Sequence, residues 1–410
     1  MVRVSMESEA EKELGISSMA DIPRAAAHTE FSLVRGGPFY NLLKAAHLIH
    51  PQKWNLGRRI TALLAVTWAP LVIITAVSNR AGLHSLLVDP RVYARLFVAI
   101  PALITGELMM DGYFGAMLKH IHDANLLDAA DETHMNRVLA QMKRLRDAYL
   151  PELIILLLAV VSIVTNMSNH GVLDTTPWLG ERIGDSFRFT PAAWYGVFTG
   201  APLWNFLLGL ALWRWLLWAF YAFKLSQCRL KLVASHPDKR GGLSFLGLMV
   251  MAFAPTAFAA SSVIASNWRN EILHHGARLV DFKFAAIIFV LIIALLAIGP
   301  LLFFVPRLAA LRQKGILEYG ILGQLHSSEF HEKWIHHRAG HEADFLVAPE
   351  SNTLTGFGNS YEKIGQLSPF PIDMGSLYGL AAAVAIPGLV VVLAQIPFAV
   401  VLEELLKAVH

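Results

Sequence analysis

Two acidic side chains lie within a long apolar stretch of this chain. Glu107 and Asp111 are four residues apart between Val92 and Leu118, so in a helix they lie on the same face. An ionisable group within the hydrocarbon of a membrane is costly, and it usually faces the interior of a helix bundle, a partner charge or water. The pattern therefore predicts an ion pathway that passes Glu107 and Asp111.

A basic residue, Arg214, lies in a second apolar stretch, from Trp194 to Phe223, among aromatic side chains typical of a membrane surface. The rise of an α-helix places Asp111 and Arg214 about 28 and 30 Å from the outer ends of their stretches, so the two side chains have nearly the same depth. Two interpretations follow. They are a gate at the inner mouth of an ion pathway, with Glu107 deeper, and a structural Asp111–Arg214 ion pair. The aromatic neighbours of the arginine are Trp213, Trp215, Trp218 and Tyr221.

A basic turn separates this second stretch from the next apolar one. Pro237 disfavours helix at the residue before it, Asp238 is typical of a turn or a helix cap, and two glycines permit positive φ. A helix that begins after such a turn presents free N–H groups, and neighbouring basic side chains add positive charge. We expect either an anion site, for a phosphate, a nucleotide or an anionic lipid headgroup, or a structural turn held against lipid. The candidate residues are His236, Asp238, Lys239, Arg240, Gly241 and Gly242.

Histidine and glutamate residues are densest between His326 and His341. Such side chains are ligands of transition metals, but their order lacks the HExxH spacing of a zinc site. The alternative is a solvated histidine-rich surface that gains charge as the pH falls. A transition metal is the one cofactor that the sequence suggests, and its candidate ligands are His331, Glu332, His336, His337 and His341.

The charge balance and the remaining motifs exclude several classes of protein. Lys and Arg number 34 against 31 Asp and Glu, so no basic excess indicates nucleic-acid binding. The single cysteine, Cys228, excludes an intramolecular disulfide. The sequence has no recognisable Ser/His/Asp arrangement or phosphate-binding loop, so an enzyme that acts on lipid has only the weak support of histidines and acids near the inner face.

The elements that must position these residues are membrane helices. Of the 410 residues, 55% are hydrophobic and 16% are charged, and the mean hydropathy is +0.48, which predicts an all-α, polytopic transmembrane bundle. The last apolar segment contains Pro387 and Pro397, so it either spans the membrane or is re-entrant, which would leave six spans. We expect about seven spans, at residues 60–77, 92–118, 149–167, 194–223, 243–268, 282–305 and 377–401.

Basic residues mark one side of this bundle. Arg58 and Arg59 precede the first apolar segment, and Lys and Arg cluster around the turn at 236–242, so these positions and the N-terminus are expected in the cytoplasm. The chain then divides into four parts. They are a cytoplasmic N-terminal segment (1–59), a six-span bundle (60–306) with a cytoplasmic helical insert (119–147), a cytoplasmic His-rich helical segment (307–375), and the seventh span with its tail (376–410).

Four short motifs together resemble a bacterial family of polytopic membrane proteins without an assigned activity. The motifs are Phe31 to Tyr40 (FSLVRGGPFY), the turn from His236 to Leu243, Pro306-Arg307-Leu308 with Gly315 to Gly320, and Gly358 to Glu362. The resemblance extends over nearly the whole chain. It implies a location in the bacterial inner membrane, and it implies no ligand and no catalytic residue.

Two functions are consistent with these features. The first is a channel or transporter for a small ion or solute, with Glu107 on its path and a cytoplasmic portal formed by Asp111, Arg214 and the basic turn. The second is a membrane-anchored sensor or scaffold whose cytoplasmic parts, 119–147 and 308–372, bind a protein or an anionic ligand. The expected partners are the lipid bilayer, anionic lipid headgroups and further copies of the chain in a homo-oligomer.

Overall fold

The structure is a computed structural model that describes residues 31–49, 54–167, 177–183, 186–336 and 349–395. Almost all of these residues are helical. A 3-10 turn precedes both α9 and α10, and a π turn follows α11. The helices are α1 (Pro38–Ala45), α2 (Leu56–Ser78), α3 (Arg80–Val88), α4 (Pro90–Asp123), α5 (Ala129–Asp147), α6 (Tyr149–Met167), α7 (Pro191–Phe198), α8 (Gly200–Gln227), α9 (Leu248–His275), α10 (Lys283–Leu302), α11 (Val305–His331), α12 (Pro349–Gly365) and α13 (Met374–Gln395).

The helical content of the described residues supports the all-α class. Six of their helical segments are long and apolar enough to cross a membrane, which indicates a membrane protein. The apolar part of α6, Tyr149–Ile163, is shorter than these six, so a seventh crossing stays a prediction. The last predicted span extends to residue 401, and its end lies outside the described residues. The six segments are Leu56–Ser78, Pro90–Asp123, Pro191–Gln227, Ser244–His274, Leu279–Leu302 and Met374–Val392.

A short antiparallel hairpin, which the sequence did not predict, lies at one end of the bundle. Strand β1 (Gly180–Ile183) pairs with β2 (Ser186–Phe189). The N–H of Thr190 donates to the carbonyl of Leu179 at 2.9 Å, so the hairpin leads directly into α7. We name this end of the bundle the hairpin end, and we name the opposite end, which holds the turn at 236–242, the turn end.

Helix α9 lies at the centre of the bundle, packed between α4 and α13. In its most apolar stretch 61% of the residues are buried, against 17% for α2 and 22% for α10, which face outward. Small side chains favour the central position because they let neighbouring helices approach closely. The small buried residues of α9 are Ala252, Ala254, Ala257, Ala259, Ser261, Ser262, Ala265 and Ser266.

The aromatic residues near Arg214 are part of the protein core. Trp215, Trp218 and Tyr221 are completely buried, so they do not face lipid headgroups as expected, and their depth in the membrane stays a prediction. The reason is that they pack inward against aromatic side chains of neighbouring helices. The ring of Trp215 lies 4.5 Å from Phe253, and the ring of Tyr221 lies 5.2 Å from Phe114.

Candidate functional site

Three membrane helices bring a buried ionic cluster together. Arg59 of α2 donates from Nη2 to Glu107 Oε2 of α4 at 2.6 Å, and Arg214 of α8 donates from Nη1 to Glu107 Oε1. All three residues are almost inaccessible, with 6% of Glu107, 1% of Arg59 and 5% of Arg214 exposed. We name these three residues the ionic cluster. Two of the predicted pathway residues, Glu107 and Arg214, are thus in direct contact.

Within the ionic cluster two guanidinium groups share one carboxylate, and burial excludes the water that would otherwise screen them. Glu152 of α6 is a second acid that interacts electrostatically with Arg214. Arg59 is incompletely bonded, since its Nε and Nη1 are buried and have no hydrogen-bond partner among the described residues. The carboxylate of Glu107 therefore joins α2 to α8, and its neutralisation would leave two buried cations.

Asp111 lies one turn further along α4 and forms no ion pair with Arg214, so the predicted Asp111–Arg214 pair is wrong. Its carboxylate accepts a hydrogen bond from Ser32 Oγ, and Arg35 Nε lies 3.6 Å from Asp111 Oδ2. Both partners belong to residues 31–37, which we name the N-terminal loop. This loop reaches Asp111 from a distant part of the chain, and Arg214 pairs with Glu107 instead.

Acidic side chains also hold the junction between the N-terminal loop and α1. The N–H of Gly37 donates to Asp147 Oδ1 at 3.0 Å, and the N–H of Phe39 donates to Glu152 Oε2 at 2.7 Å. Carboxylates at a helix N-terminus satisfy its free N–H groups and complement its dipole. Gly37 has a φ of 86°, which a residue with a side chain rarely adopts. The loop is therefore anchored, and its Leu33 is completely buried.

A cavity of about 500 Å³ lies at the hairpin end. Helices α4, α8 and α9 supply most of its wall. We name it the hairpin-end cavity. Its mixture of apolar, aromatic and a few polar side chains is typical of a site for a small molecule. The polar residues are Asp89, Arg91, Arg95, Asn205, Asn267, Asn270 and Glu271, and the larger apolar ones are Leu71, Leu96, Ile163, Trp178, Phe189, Trp204 and Val263.

The charged residues of the hairpin-end cavity are not all paired. Arg91 donates from Nε and Nη2 to the two oxygens of Asp89 at 3.1 and 3.0 Å, and Trp178 Nε1 donates to Asp89 Oδ2 at 3.1 Å. Burial raises the pKa of Asp89, but Arg91 and Trp178 together hold it below its ordinary value. Arg95, one turn after Arg91, has a buried Nε without a hydrogen-bond partner among the described residues.

The position of Arg95 is associated with an irregular turn of α4. Residues Ala94–Ala99 form a π-helix, in which the N–H of Ile100 donates to the carbonyl of Arg95. Pro101 has no N–H for the carbonyl of Phe97 and its ring clashes with that carbonyl, and a wider turn relieves the clash. Turns of this type are frequent at functional sites. The irregular turn and the unpaired arginine thus coincide at one point of α4.

A packed apolar layer separates the hairpin-end cavity from the ionic cluster. Ala99, Ile100 and Ile104 of α4 are completely buried in this layer. The helical rise places Arg95 and Glu107 about 18 Å apart along α4. Glu107 does not line the hairpin-end cavity. The cavity and the ionic cluster are therefore separate compartments in this structure.

The basic turn at 236–242 is held by its own aspartate. The carboxylate of Asp238 accepts hydrogen bonds from the N–H of Arg240 at 2.8 Å and from those of Gly242 and Ser244 at 3.1 Å, and His236 Nδ1 lies 2.8 Å from Asp238 Oδ1. Burial raises the pKa of Asp238, but these hydrogen bonds outweigh burial and hold it below its ordinary value. The N–H groups that we expected to face an external anion are thus occupied by an internal carboxylate.

The basic side of this turn contacts the segment before α13. Arg240 Nε donates to the carbonyl of Ile372 at 3.0 Å, and the N–H of Ser368 donates to the carbonyl of Lys239 at 2.8 Å. Gly241 has a φ of 65°, and a side chain there would clash with α11. These contacts favour the structural alternative for the turn, because Asp238, Arg240 and the backbone carbonyl of Lys239 already have protein partners.

The predicted metal ligands are only partly described. His331, Glu332 and His336 belong to the described residues, whereas His337 and His341 lie outside them. The rings of His331 and His336 are 5.0 Å apart. No group of three or more His, Cys, Asp or Glu side chains among the residues that the structure describes is arranged to hold a metal ion. The metal site therefore stays a prediction.

Sequence reasoning missed Arg59 and Arg95. Arg59 was treated with Arg58 as a basic flank of the first span, but Arg58 is exposed and Arg59 is buried. A signal was present, because Arg59 begins a row of residues four apart that includes Thr67, Leu71 and Thr75, all buried. Arg95 had no comparable signal, since a π turn cannot be inferred from apolar spacing.

Comparisons with protein-family models, with curated proteins and with solved structures give no match to this chain. The resemblance to a bacterial family that the sequence motifs indicate therefore receives no support from them. The ionic cluster and the hairpin-end cavity are the features from which a function is inferred.

Proposed function

We propose that this protein is a transporter for a small solute in the bacterial inner membrane, and that it crosses the bilayer seven times. The observation that carries the proposal is the hairpin-end cavity. It has a volume of about 500 Å³, it is lined by charged, amide and aromatic side chains, and a packed apolar layer closes it towards the ionic cluster. A cavity of this size and composition suits a small organic molecule.

The same features support a carrier rather than an open channel. A channel conducts through a continuous path, whereas buried apolar side chains lie between the cavity and Glu107. In a carrier, the solute enters a cavity that is closed towards the opposite side, and helices then move to open that side. The ionic cluster lies where such a movement would act, since Glu107 joins α2 to α8.

The proposed orientation rests on basic residues at the turn end. Lys and Arg near membrane spans mark the cytoplasmic side, which places the turn end in the cytoplasm and the hairpin end outside. Helix α6 is the seventh crossing in this proposal. Its Leu150, Leu153 and Leu157 are exposed, as contact with lipid requires. An odd number of crossings then places the two termini on opposite sides.

Solute uptake into proteoliposomes tests the proposal. The substitution Ala201→Trp places a large ring in the wall of the hairpin-end cavity and is expected to abolish uptake. Leu216→Trp is the matched control, because Leu216 lies on the same helix with its side chain exposed, and uptake is expected to continue. Equal uptake by the two variants would contradict the proposal. So would the absence of uptake by the wild-type protein across a panel of amino acids, sugars, organic acids and ions.

A membrane-anchored scaffold is the second candidate function, and one observation favours it. Leu317, Ile321 and Leu325 lie four residues apart on α11 and are all exposed. A stripe of this kind is suited to a partner helix. Recovery of one stoichiometric protein partner, lost when these three residues are replaced by serine, together with no solute uptake, would favour the scaffold over the transporter.

A further inference from the structure

We infer that the hairpin-end cavity binds an organic oxyanion, a carboxylate or a phosphate ester, and that Arg95 is the residue that anchors it. This inference deepens the proposed transport function, on which its physiological meaning rests, because it names the chemical class of the solute. The binding site itself can be tested without any measurement of transport.

The charges of the cavity leave Arg95 without a partner. Asp89 is engaged by Arg91 and Trp178, as its four hydrogen bonds show, and Glu271, the second acid of the wall, forms no ion pair with Arg95. A buried donor without an acceptor costs free energy until a partner supplies one. Carboxylates and phosphates supply both the negative charge and the planar or tetrahedral oxygens that a guanidinium group matches.

Amide groups near Arg95 add further donors. Asn267 and Asn270 line the same cavity, and their side chains form no hydrogen bond with other described residues. Each carries an NH₂ group that can donate to an anionic oxygen. Asn205 differs, since its Nδ2 already donates to Ser162 Oγ at 2.7 Å. Two amides and one guanidinium group therefore remain for a ligand.

The cavity is too large and too apolar for an inorganic ion alone. Its volume of about 500 Å³ exceeds the space that a phosphate or sulfate ion fills, and Trp204, Leu96 and Val263 supply apolar wall. Such walls contribute to binding when they contact carbon atoms of a ligand. The ligand that fits is a small molecule with at least one anionic group on a carbon skeleton, which describes both soluble organic acids and the headgroup region of an anionic lipid.

Thermal unfolding of the purified full chain in nanodiscs tests this inference. In nanodiscs of zwitterionic lipid, the probes are succinate, glycerol 3-phosphate and, as a cation of similar size, 1,4-diaminobutane. A parallel set of nanodiscs contains phosphatidylglycerol. At least one of the two soluble anions or the anionic lipid is expected to raise the unfolding temperature in a concentration-dependent manner, and the diamine is not.

Three variants locate the binding site. Arg95→Gln is expected to weaken binding of the stabilising anion by about tenfold or more, since hydrogen bonds to a charged group are lost. Arg95→Lys keeps the charge but loses the fork of donors, so it is expected to bind with intermediate affinity. Arg278→Gln is the matched control, because Arg278 is an exposed arginine near the same end of the bundle and outside the cavity, and affinity is expected to stay unchanged.

Each outcome decides one question. Stabilisation by a soluble anion that depends on Arg95 supports the inference, and stabilisation by phosphatidylglycerol alone that depends on Arg95 supports an oxyanion site whose ligand is lipid. Stabilisation by none of the probes overturns it. Equal affinity of the wild-type and Arg95→Gln proteins, or stabilisation by the diamine alone, overturns it. Binding of an anion without uptake into proteoliposomes would support the anion site and contradict the transport function. Uptake of a cation alone would support the transport function and contradict the anion site.

Discussion

The half of the bundle towards the turn end, which we name the turn half, differs from the half towards the hairpin end, which we name the hairpin half, in how its charged residues are paired. Towards the turn end, the acids Glu107, Asp111 and Asp238 each have at least two protein partners, so that every one of these carboxylates is satisfied internally. Towards the hairpin end, Asp89 and Arg91 satisfy each other, and Arg95 is left with an unbonded Nε beside a cavity. Arg59 in the turn half also has unbonded nitrogens, but it is paired with Glu107, whereas Arg95 has no such acid partner among the described residues and lines a cavity. The hairpin half therefore retains unused binding capacity.

This difference shows why a typical anion-binding pattern is a weak guide to function. The turn at 236–242 has the glycines, the basic side chains and the helix start that indicate an anion site, yet Asp238 occupies its N–H groups. Arg95 has none of these neighbours. An arginine is available to a ligand when the acids near it already have other partners. Whether they do depends on how the helices pack more than on a short sequence motif.

The largest expected effect comes from the buried centre of the turn half. Glu107→Gln removes the charge that neutralises Arg59 and Arg214, so the free energy of unfolding is expected to fall by about 3 to 5 kcal/mol. Reversible unfolding in mixed detergent micelles measures it.

Two further variants sharpen this measurement. Glu318→Gln alters an exposed carboxylate on α11 that pairs with Lys314, and a change of at most about 0.5 kcal/mol is expected. The double variant Glu107→Gln with Arg59→Gln removes one of the two uncompensated cations, so part of the lost stability should return. If Glu107→Gln were as mild as Glu318→Gln, the turn half would not depend on its buried charges.

The next effect concerns the turn itself. Asp238→Ala leaves the N–H groups of Arg240, Gly242 and Ser244 without their carboxylate, and a loss of about 2 to 4 kcal/mol is expected. The same unfolding experiment measures it. Lys239→Gln is the matched control, because only its backbone carbonyl is used, and stability is expected to stay within about 0.5 kcal/mol. Binding of added phosphate to the wild-type turn would mean that its donors are not fully engaged.

A smaller effect is expected on acidification. The pKa of Asp238 is held below its ordinary value in the folded protein, so its contribution to stability is complete above the ordinary aspartate value of 3.8 and is lost as the pH falls through the lower folded value. The unfolded chain takes up the proton first, and unfolding becomes easier. Asp238→Ala should flatten this part of the pH profile of the unfolding midpoint, and an unchanged profile would assign the acid sensitivity to other groups.

The sequence could predict those structural features that depend on residues close together in the chain or on the length and apolar character that a membrane requires. Long apolar stretches predicted the membrane-capable helices, and the proline, aspartate and glycines at 236–242 predicted a turn, because both depend on neighbouring residues. The partners of Asp111 could not be predicted, since Ser32 is 79 residues away along the chain. Arg59 and Glu107 are 48 residues apart, and their pairing follows from which faces of α2 and α4 pack together.

The smallest expected loss of stability separates the two halves most directly. Arg95→Gln removes a buried charge that has no hydrogen-bond partner among the described residues, so the free energy of unfolding in the absence of ligand is expected to stay the same or to rise. Arg91→Gln, one turn away, leaves Asp89 buried without its main partner and is expected to cost about 1.5 to 3 kcal/mol. Unfolding of both variants in ligand-free detergent makes the comparison. An equal loss in the two would show that Arg95 holds the fold together, and the hairpin half would then resemble the turn half after all.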